Sequence, residues 1–151
     1  MTAVSQLMSS PPVMVDAQEK LSQAARLMRE RDVGVLGVLR DGRLAGALSD
    51  RDIVIRAVAE GRDPGQVAVA EVTAGEVVTI SPDAELDEAE RLMAERRVRR
   101  LFVGTPERPV GLISIDDIAR SRDRESVQSR QLEVHEDRLL RGYQGHTGQG
   151  E

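Results

Sequence analysis

The sequence predicts an α/β (α+β) protein made of two tandem β-α-β-β-α repeats packed with pseudo-twofold symmetry. Three observations predict it. First, the chain matches itself: residues 13–56 align on 78–121 without a gap, and sixteen of the 44 positions are identical. Second, each copy alternates short aliphatic runs of strand length with a segment whose apolar residues recur every three or four positions. Third, each copy closes on one pattern, "GALSDRD" at 46–52 and "GLISIDD" at 111–117. Duplication at this scale decides the architecture. One copy alone would leave an apolar sheet or helix face in water, so the two must pack on each other.

The elements follow in order. "VMV" (13–15) and "VVTI" (77–80) are short strands. Helix starts come next at "DAQE" and at "SPDAE", the latter placing Pro82 at the first helical position. The helices carry Leu21, Ala24, Leu27 and Met28 in copy one and Leu86, Ala89, Leu92 and Met93 in copy two, with Glu and Arg on the opposite face. The methionines belong to this packing stripe. "VGVLGVL" and "VRRLFVG" are strands that turn back, through "RDG" and the longer "TPERP", into "LAGALS" and "PVGLIS". A second helix opens at each serine. "VSQL" (4–7) and "VAEV" (69–72), also 65 residues apart, read as short lead-in helices. Residues 1–60 thus form the first repeat with its lead-in, 61–76 a linker and the second lead-in, and 77–122 the second repeat. Residues 123–151 form a charged helical extension ending in a Gly-rich tail.

Composition narrows the function classes. Hydrophobic residues make up 40% and charged residues 31%, an ordinary globular balance. A formal charge of −5 opposes nucleic-acid binding through bulk charge. Phe102 and Tyr143 are the only aromatic residues, which excludes a base-stacking platform. There is no cysteine, hence no disulfide, thiolate nucleophile or sulfur-ligated metal. The N-terminus has no secretory pattern and no apolar run is long enough to span a bilayer, so a cytoplasmic location without membrane association is expected.

The repeated serine and aspartate have two readings. Ser-x-x-Asp before an apolar segment resembles a capping box. The alternative is a binding site: glycines at 46 and 111 would let a ligand approach, and Ser49 and Ser114 would stand beside helix N–H groups suited to phosphate. Asp52 and Asp117 would accept both hydrogens of a vicinal diol such as ribose. The two readings are compatible.

These residues resemble the CBS-domain pair, or Bateman module, over roughly residues 4–122. The likeness rests on the duplicated β-α-β-β-α order and on G-h-h-[ST]-x-x-D, where h is apolar, closing each repeat. "SDRDIVIRAVAEGRDP" is similar to stand-alone bacterial members. The resemblance implies a regulatory module whose clefts bind an adenosyl compound: AMP, ADP, ATP, S-adenosylmethionine or NADH. It assigns ribose to Asp52 and Asp117, ribose or phosphate to Ser49 and Ser114, and an adenine pocket to Val13, Val15, Val78 and Ile80. It also implies homodimers and a separate target protein. The chain departs from many relatives in having Gly37 and Phe102 where they have proline. Copy one has Arg51, able to balance a phosphate, where copy two has Asp116. The cleft of Ser49, Arg51 and Asp52 is therefore the one expected to take a multiply charged nucleotide.

Other candidates are weighed alongside. Arg96, Arg97, Arg99 and Arg100 form either a solvated rim favoured by a helix C-terminus or, through Arg99 or Arg100, a phosphate contact. His135 and His146 lack metal-ligand or triad spacing and read as surface residues. No nucleophile–base pair, metal cluster or phosphate-binding glycine loop is present in the sequence, so neither an enzyme nor a cofactor beyond a bound adenosyl ligand is expected. The competing expectation is a ligand-independent dimerisation scaffold in which the serines and aspartates only cap helices.

Overall fold

In the computed structural model, which describes residues 1–73 and 76–143, the two copies fold into two separate three-stranded sheets with helices. The lead-in helix α1 (Val4–Leu7) is followed by β1 (Met14–Asp16), α2 (Leu21–Arg31), β2 (Val35–Arg40) and β3 (Arg43–Ser49). Next come α3 (Asp50–Ile53), which continues as a π-helical turn over Val54–Val58, and the second lead-in helix α4 (Val69–Val72). The second copy gives β4 (Thr79–Ile80), α5 (Leu86–Arg96), β5 (Arg100–Gly104), β6 (Pro109–Ser114) and α6 (Ile115–Tyr143).

Both sheets share one topology. The first strand pairs parallel with the second, which pairs antiparallel with the third. Parallel pairing demands a crossover, supplied by α2 and α5. The first hairpin turns at Asp41 and Gly42, both at positive φ, the twist that a tight hairpin requires. Residues 1–115 form one compact unit, and the helix from Asp116 a second. No helix among the described residues is long and apolar enough to cross a membrane.

The helices begin later than their sequence signals imply. Pro82 lies in a turn, and α5 starts at Leu86; α2 likewise starts at Leu21 rather than in "DAQE". Asp16 Oδ1 accepts from the Gln18 N–H (2.9 Å) and Ser81 Oγ from the Asp83 N–H (3.2 Å), which closes turns ahead of each helix. The first-turn N–H groups then find carbonyls elsewhere in the chain. Leu21 donates to Val67 O (2.9 Å), Ser22 to Pro64 O (3.0 Å) and Leu86 to Thr2 O (3.3 Å). A backbone partner so distant in sequence replaces the side-chain cap.

Those bonds reveal that the lead-in helices are exchanged. Val4 N donates to Ala84 O and Ser5 N to Pro82 O. Their counterparts 65 residues on, Val69 N and Ala70 N, donate to Glu19 O and Ala17 O. The reciprocity is the pseudo-twofold relation written in hydrogen bonds. Val67, Val69 and Val72 belong to the apolar core of the first repeat, with Leu21, Leu36 and Leu48. Val4 is fully buried. Deleting residues 1–8 is therefore expected to destabilise the second repeat. Loss of Val4 burial alone accounts for roughly 2 kcal/mol, and urea unfolding of the truncated chain checks it.

Candidate functional site

Strand parity builds one wall of a cavity of about 310 Å³. Ser49 ends β3, Ala47 lies two residues earlier on the same face, and Val35 of β2 is the cross-strand partner of Ser49. All three line the cavity. The second repeat supplies the facing wall by the same rule. Arg100 and Phe102 are two apart on β5, and Leu112 of β6 pairs with Phe102. The connector residues Glu76, Val77 and Val78, with Val98 and Arg99, complete the lining. Its volume is at the lower end of that seen for small-molecule sites, roughly 300–1,000 Å³.

Asp52 also faces the cavity, held by a reciprocal pair of bonds with Ser49. The Asp52 N–H donates to Ser49 Oγ (3.1 Å) and the Ser49 N–H donates to Asp52 Oδ2 (2.9 Å). The capping box is therefore real, and it leaves chemistry to spare. The Ser49 hydroxyl proton is not used by this box. Asp52 Oδ1 lies 3.9 Å from Arg56 Nε, beyond hydrogen-bond distance. Arg56 Nη1 in turn donates to Val72 O (3.3 Å). Asp52 Oδ1 thus stays outside the capping box, in a cavity lined by aliphatic side chains together with Phe102, Glu76, Arg99 and Arg100.

Several predicted roles need correction. The N–H groups at the start of α3 are not available to a phosphate. Asp50 N donates to Gly34 O, Arg51 N to Asp50 Oδ1, and Asp52 N to Ser49 Oγ. Anionic groups in this cavity would meet Arg99 and Arg100 instead. Arg51 is exposed on α3 and takes no part in the lining. Gly46 and Gly111 do not admit a ligand: a Cβ on Gly46 would run into Thr73, and one on Gly111 into Met8. The reason is parity, since three residues before an inward-facing serine puts the glycine on the opposite face. There the exchanged lead-in segments lie against it.

Of the adenine-pocket candidates, Val78 lines the cavity. Val15 and Ile80 are buried strand residues outside its lining, and Val13 packs on the core of the first repeat. Ser114 stands at the end of β6, paired in the ladder with Arg100. Asp117 lies in the first turn of α6 and accepts a 2.7 Å bond from Arg120 Nη2 at Oδ1. His146 falls outside the described residues, and His135 is described only as part of the α6 backbone. Among the described residues no group of three or more His, Cys, Asp or Glu is arranged to hold a metal ion.

The duplicated fold and paired repeats accord with what known proteins show: the family model for the CBS domain matches residues 4–58 and 69–124. The chain belongs to the CBS-domain family. This CBS pair is 37% identical over 119 residues to the CBS domain-containing protein YhcV of Bacillus subtilis, covering 79% of this chain and 84% of the relative. It is 37% identical over 121 residues to hypoxic response protein 1 of Mycobacterium tuberculosis, covering 80% and 85%. A crystal structure of hypoxic response protein I with two coordinated zinc ions superposes with a TM-score of 0.66, covering 79% of this chain and 98% of that one. The CBS domain pair of MJ0100, crystallised with 5′-methylthioadenosine and S-adenosylmethionine, shares the fold of this CBS pair at 22% identity (TM-score 0.71, covering 82% and 98%).

Proposed function

We propose that this CBS pair is a non-catalytic regulatory module that senses an adenosyl compound in the cavity between Asp52 and Arg100. One observation carries the reading: a fixed carboxylate and a hydroxyl from the first repeat share an apolar cavity with two guanidinium groups from the second. Asp52 Oδ1 accepts from a ribose hydroxyl and the Ser49 hydroxyl adds a second polar contact. Val35, Ala47, Val78, Val98, Phe102 and Leu112 enclose the flat base. Arg99 and Arg100 balance a phosphate or carboxylate. A ligand tied to both repeats favours one relative placement of them, and a separate target polypeptide reads that placement. Ligand binding by MJ0100 on the same fold is consistent with this role.

A second reading, a ligand-independent dimerisation scaffold, draws on two features. The Ser49–Asp52 box is complete without a ligand, and Val54, Ile55 and Val58 are exposed on the π-helical turn, where a second copy of the chain could cover them. Thermal unfolding with AMP, ADP, ATP, S-adenosylmethionine and NADH separates the two. The sensor gains stability by mass action, about 2.7 kcal/mol at a ligand concentration a hundred times the Kd. A melting temperature unmoved by all five at millimolar concentration supports the scaffold.

A further inference from the structure

The two lead-in segments rest in equivalent seats, and the side chains that fill those seats differ in chemistry. In the first repeat Thr73 places its Cγ2 methyl where a Cβ on Gly46 would stand, while its hydroxyl donates to Val69 O (2.7 Å). In the second repeat Gly111 receives the counterpart of Thr73, which is Met8; its Sδ and Cγ fill the same space. A threonine methyl is inert to peroxides. A thioether is not.

Met8 also holds a central place in the attachment. Its N–H closes α1 by donating to Val4 O (3.0 Å), and its sulfur lies against the β6 residue between Val110 and Leu112. Those two neighbours carry the bonds to the lead-in segment. Ser9 and Leu112 exchange N–H···O bonds (2.9 and 3.0 Å), and Ser10 Oγ donates to Val110 O (2.8 Å). Leu112 in turn lines the cavity. The chain has five methionines and no cysteine, so thioethers are its oxidisable sulfur. Met28 and Met93 are buried in helix packing, Met1 is exposed, and Met8 and Met14 are half-buried. Met8 thus combines access to solvent with close packing on a strand.

We propose that Met8 is a site of reversible oxidation by hydroperoxides, and that its sulfoxide releases the lead-in segment from the second repeat. A sulfur lone pair attacks the terminal peroxide oxygen, and the S–O bond forms as the O–O bond breaks. The leaving oxygen takes up the proton of the transferred one and departs as water or an alcohol. Sulfur is oxidised by two electrons and the peroxide is reduced by two. The new oxygen is a hydrogen-bond acceptor set beside β6, where the Leu112 N–H is already given to Ser9 O. Burying an unpaired acceptor is costly, so the seat is vacated. The Ser9–Leu112 bonds and the burial of Val4 are lost with it, while the Thr73 seat of the first repeat keeps its contacts. A methionine sulfoxide reductase with a thiol reverses the change.

Hydrogen peroxide treatment of the full chain, followed by peptide mass spectrometry and amide hydrogen exchange, tests it. Met8 should convert to the sulfoxide ahead of Met28 and Met93. Protection of the Ser9 and Leu112 amides should fall at least about tenfold, the scale of burying one unpaired polar group. The Val69 and Ala70 amides, which tie the other lead-in segment to the first repeat, should be unchanged. Reductase treatment should restore the lost protection. Met8→Leu keeps an apolar side chain in the seat and should hold its protection under the same peroxide, although Met1 and Met14 are still present to react. Circular dichroism confirms that the variant is folded. Met8 left as a thioether once Met1 is fully converted, unchanged Ser9 and Leu112 protection in the oxidised chain, or an equal loss in Met8→Leu overturns the proposal.

Discussion

Replacing Asp52 with alanine is expected to cost this CBS pair roughly 10- to 100-fold in ligand affinity, the range for losing a charged hydrogen bond. The same change should lower the unfolding free energy by only about 1 kcal/mol, the usual cost of a lost helix cap. The two effects separate because the two carboxylate oxygens do different things. Oδ2 accepts from the Ser49 N–H, an intramolecular bond that fixes the side chain. Among the described residues Oδ1 has its ion-pair partner, Arg56 Nε, at 3.9 Å, beyond hydrogen-bond distance, and under the proposed reading it is the oxygen that a ribose hydroxyl would meet. The Asp52 side chain is 25% exposed, so water replaces Oδ2 as acceptor in the variant and keeps the structural loss small. Ser49→Ala is the informative comparison. It removes the acceptor for the Asp52 N–H, with a stability loss also near 1 kcal/mol, yet leaves the carboxylate in place. Titration calorimetry and urea unfolding, run on both variants, yield the four numbers needed. Equal affinity in wild type and Asp52→Ala would reject the ribose role for this carboxylate outright.

The contrast between what the sequence disclosed and what it hid is physical. The duplication, the strand and helix order and the facing serine and aspartate are local signals, carried by spacing that survives in a linear string. What failed was whatever depended on a partner distant in sequence. Pro82 looked like a helix start because its neighbours cannot reveal that the Thr2 carbonyl, from another segment, would cap Leu86. Gly46 and Gly111 looked like openings for a ligand, but strand parity alone already turned them away from Ser49 and Ser114. Thr73 and Met8 fill that side. Parity also contained the residues that were missed. From Ser49 it leads to Ala47, and from Arg100 to Phe102; only the pairings Val35–Ser49 and Phe102–Leu112 required the hairpin register. Arg51 stands out in the sequence because the second copy has Asp116 in its place, but it takes no part in the cavity lining, whereas Arg99 and Arg100, the other basic candidates, do.

Gly104→Ala is expected to destabilise the protein by roughly 3 kcal/mol, adding a strained backbone conformation to a steric clash. Gly104 ends β5 at φ +108, where L side chains are strained, and its β6 pairing shows a register shift between Val103 and Gly104. A Cβ there would collide with the carbonyl oxygen of Arg108, which is backbone and cannot swing aside. That carbonyl accepts from the Thr105 N–H (3.3 Å), and the Arg108 N–H donates back to Thr105 O (3.1 Å), so moving it breaks the turn. Gly42 is the control. It too has positive φ, +75, but nothing lies within 4 Å of a Cβ placed on it, so Gly42→Ala should cost only about 1 kcal/mol for the φ preference. The difference matters for the site because β5 carries Arg100 and Phe102 into the cavity. Displacing the turn pulls on the strand that holds one whole wall. Urea unfolding of the two alanine variants is the measurement. Equal losses in both would mean that the backbone of 104–108 yields freely, and that the second repeat holds its cavity wall by some other restraint than this turn.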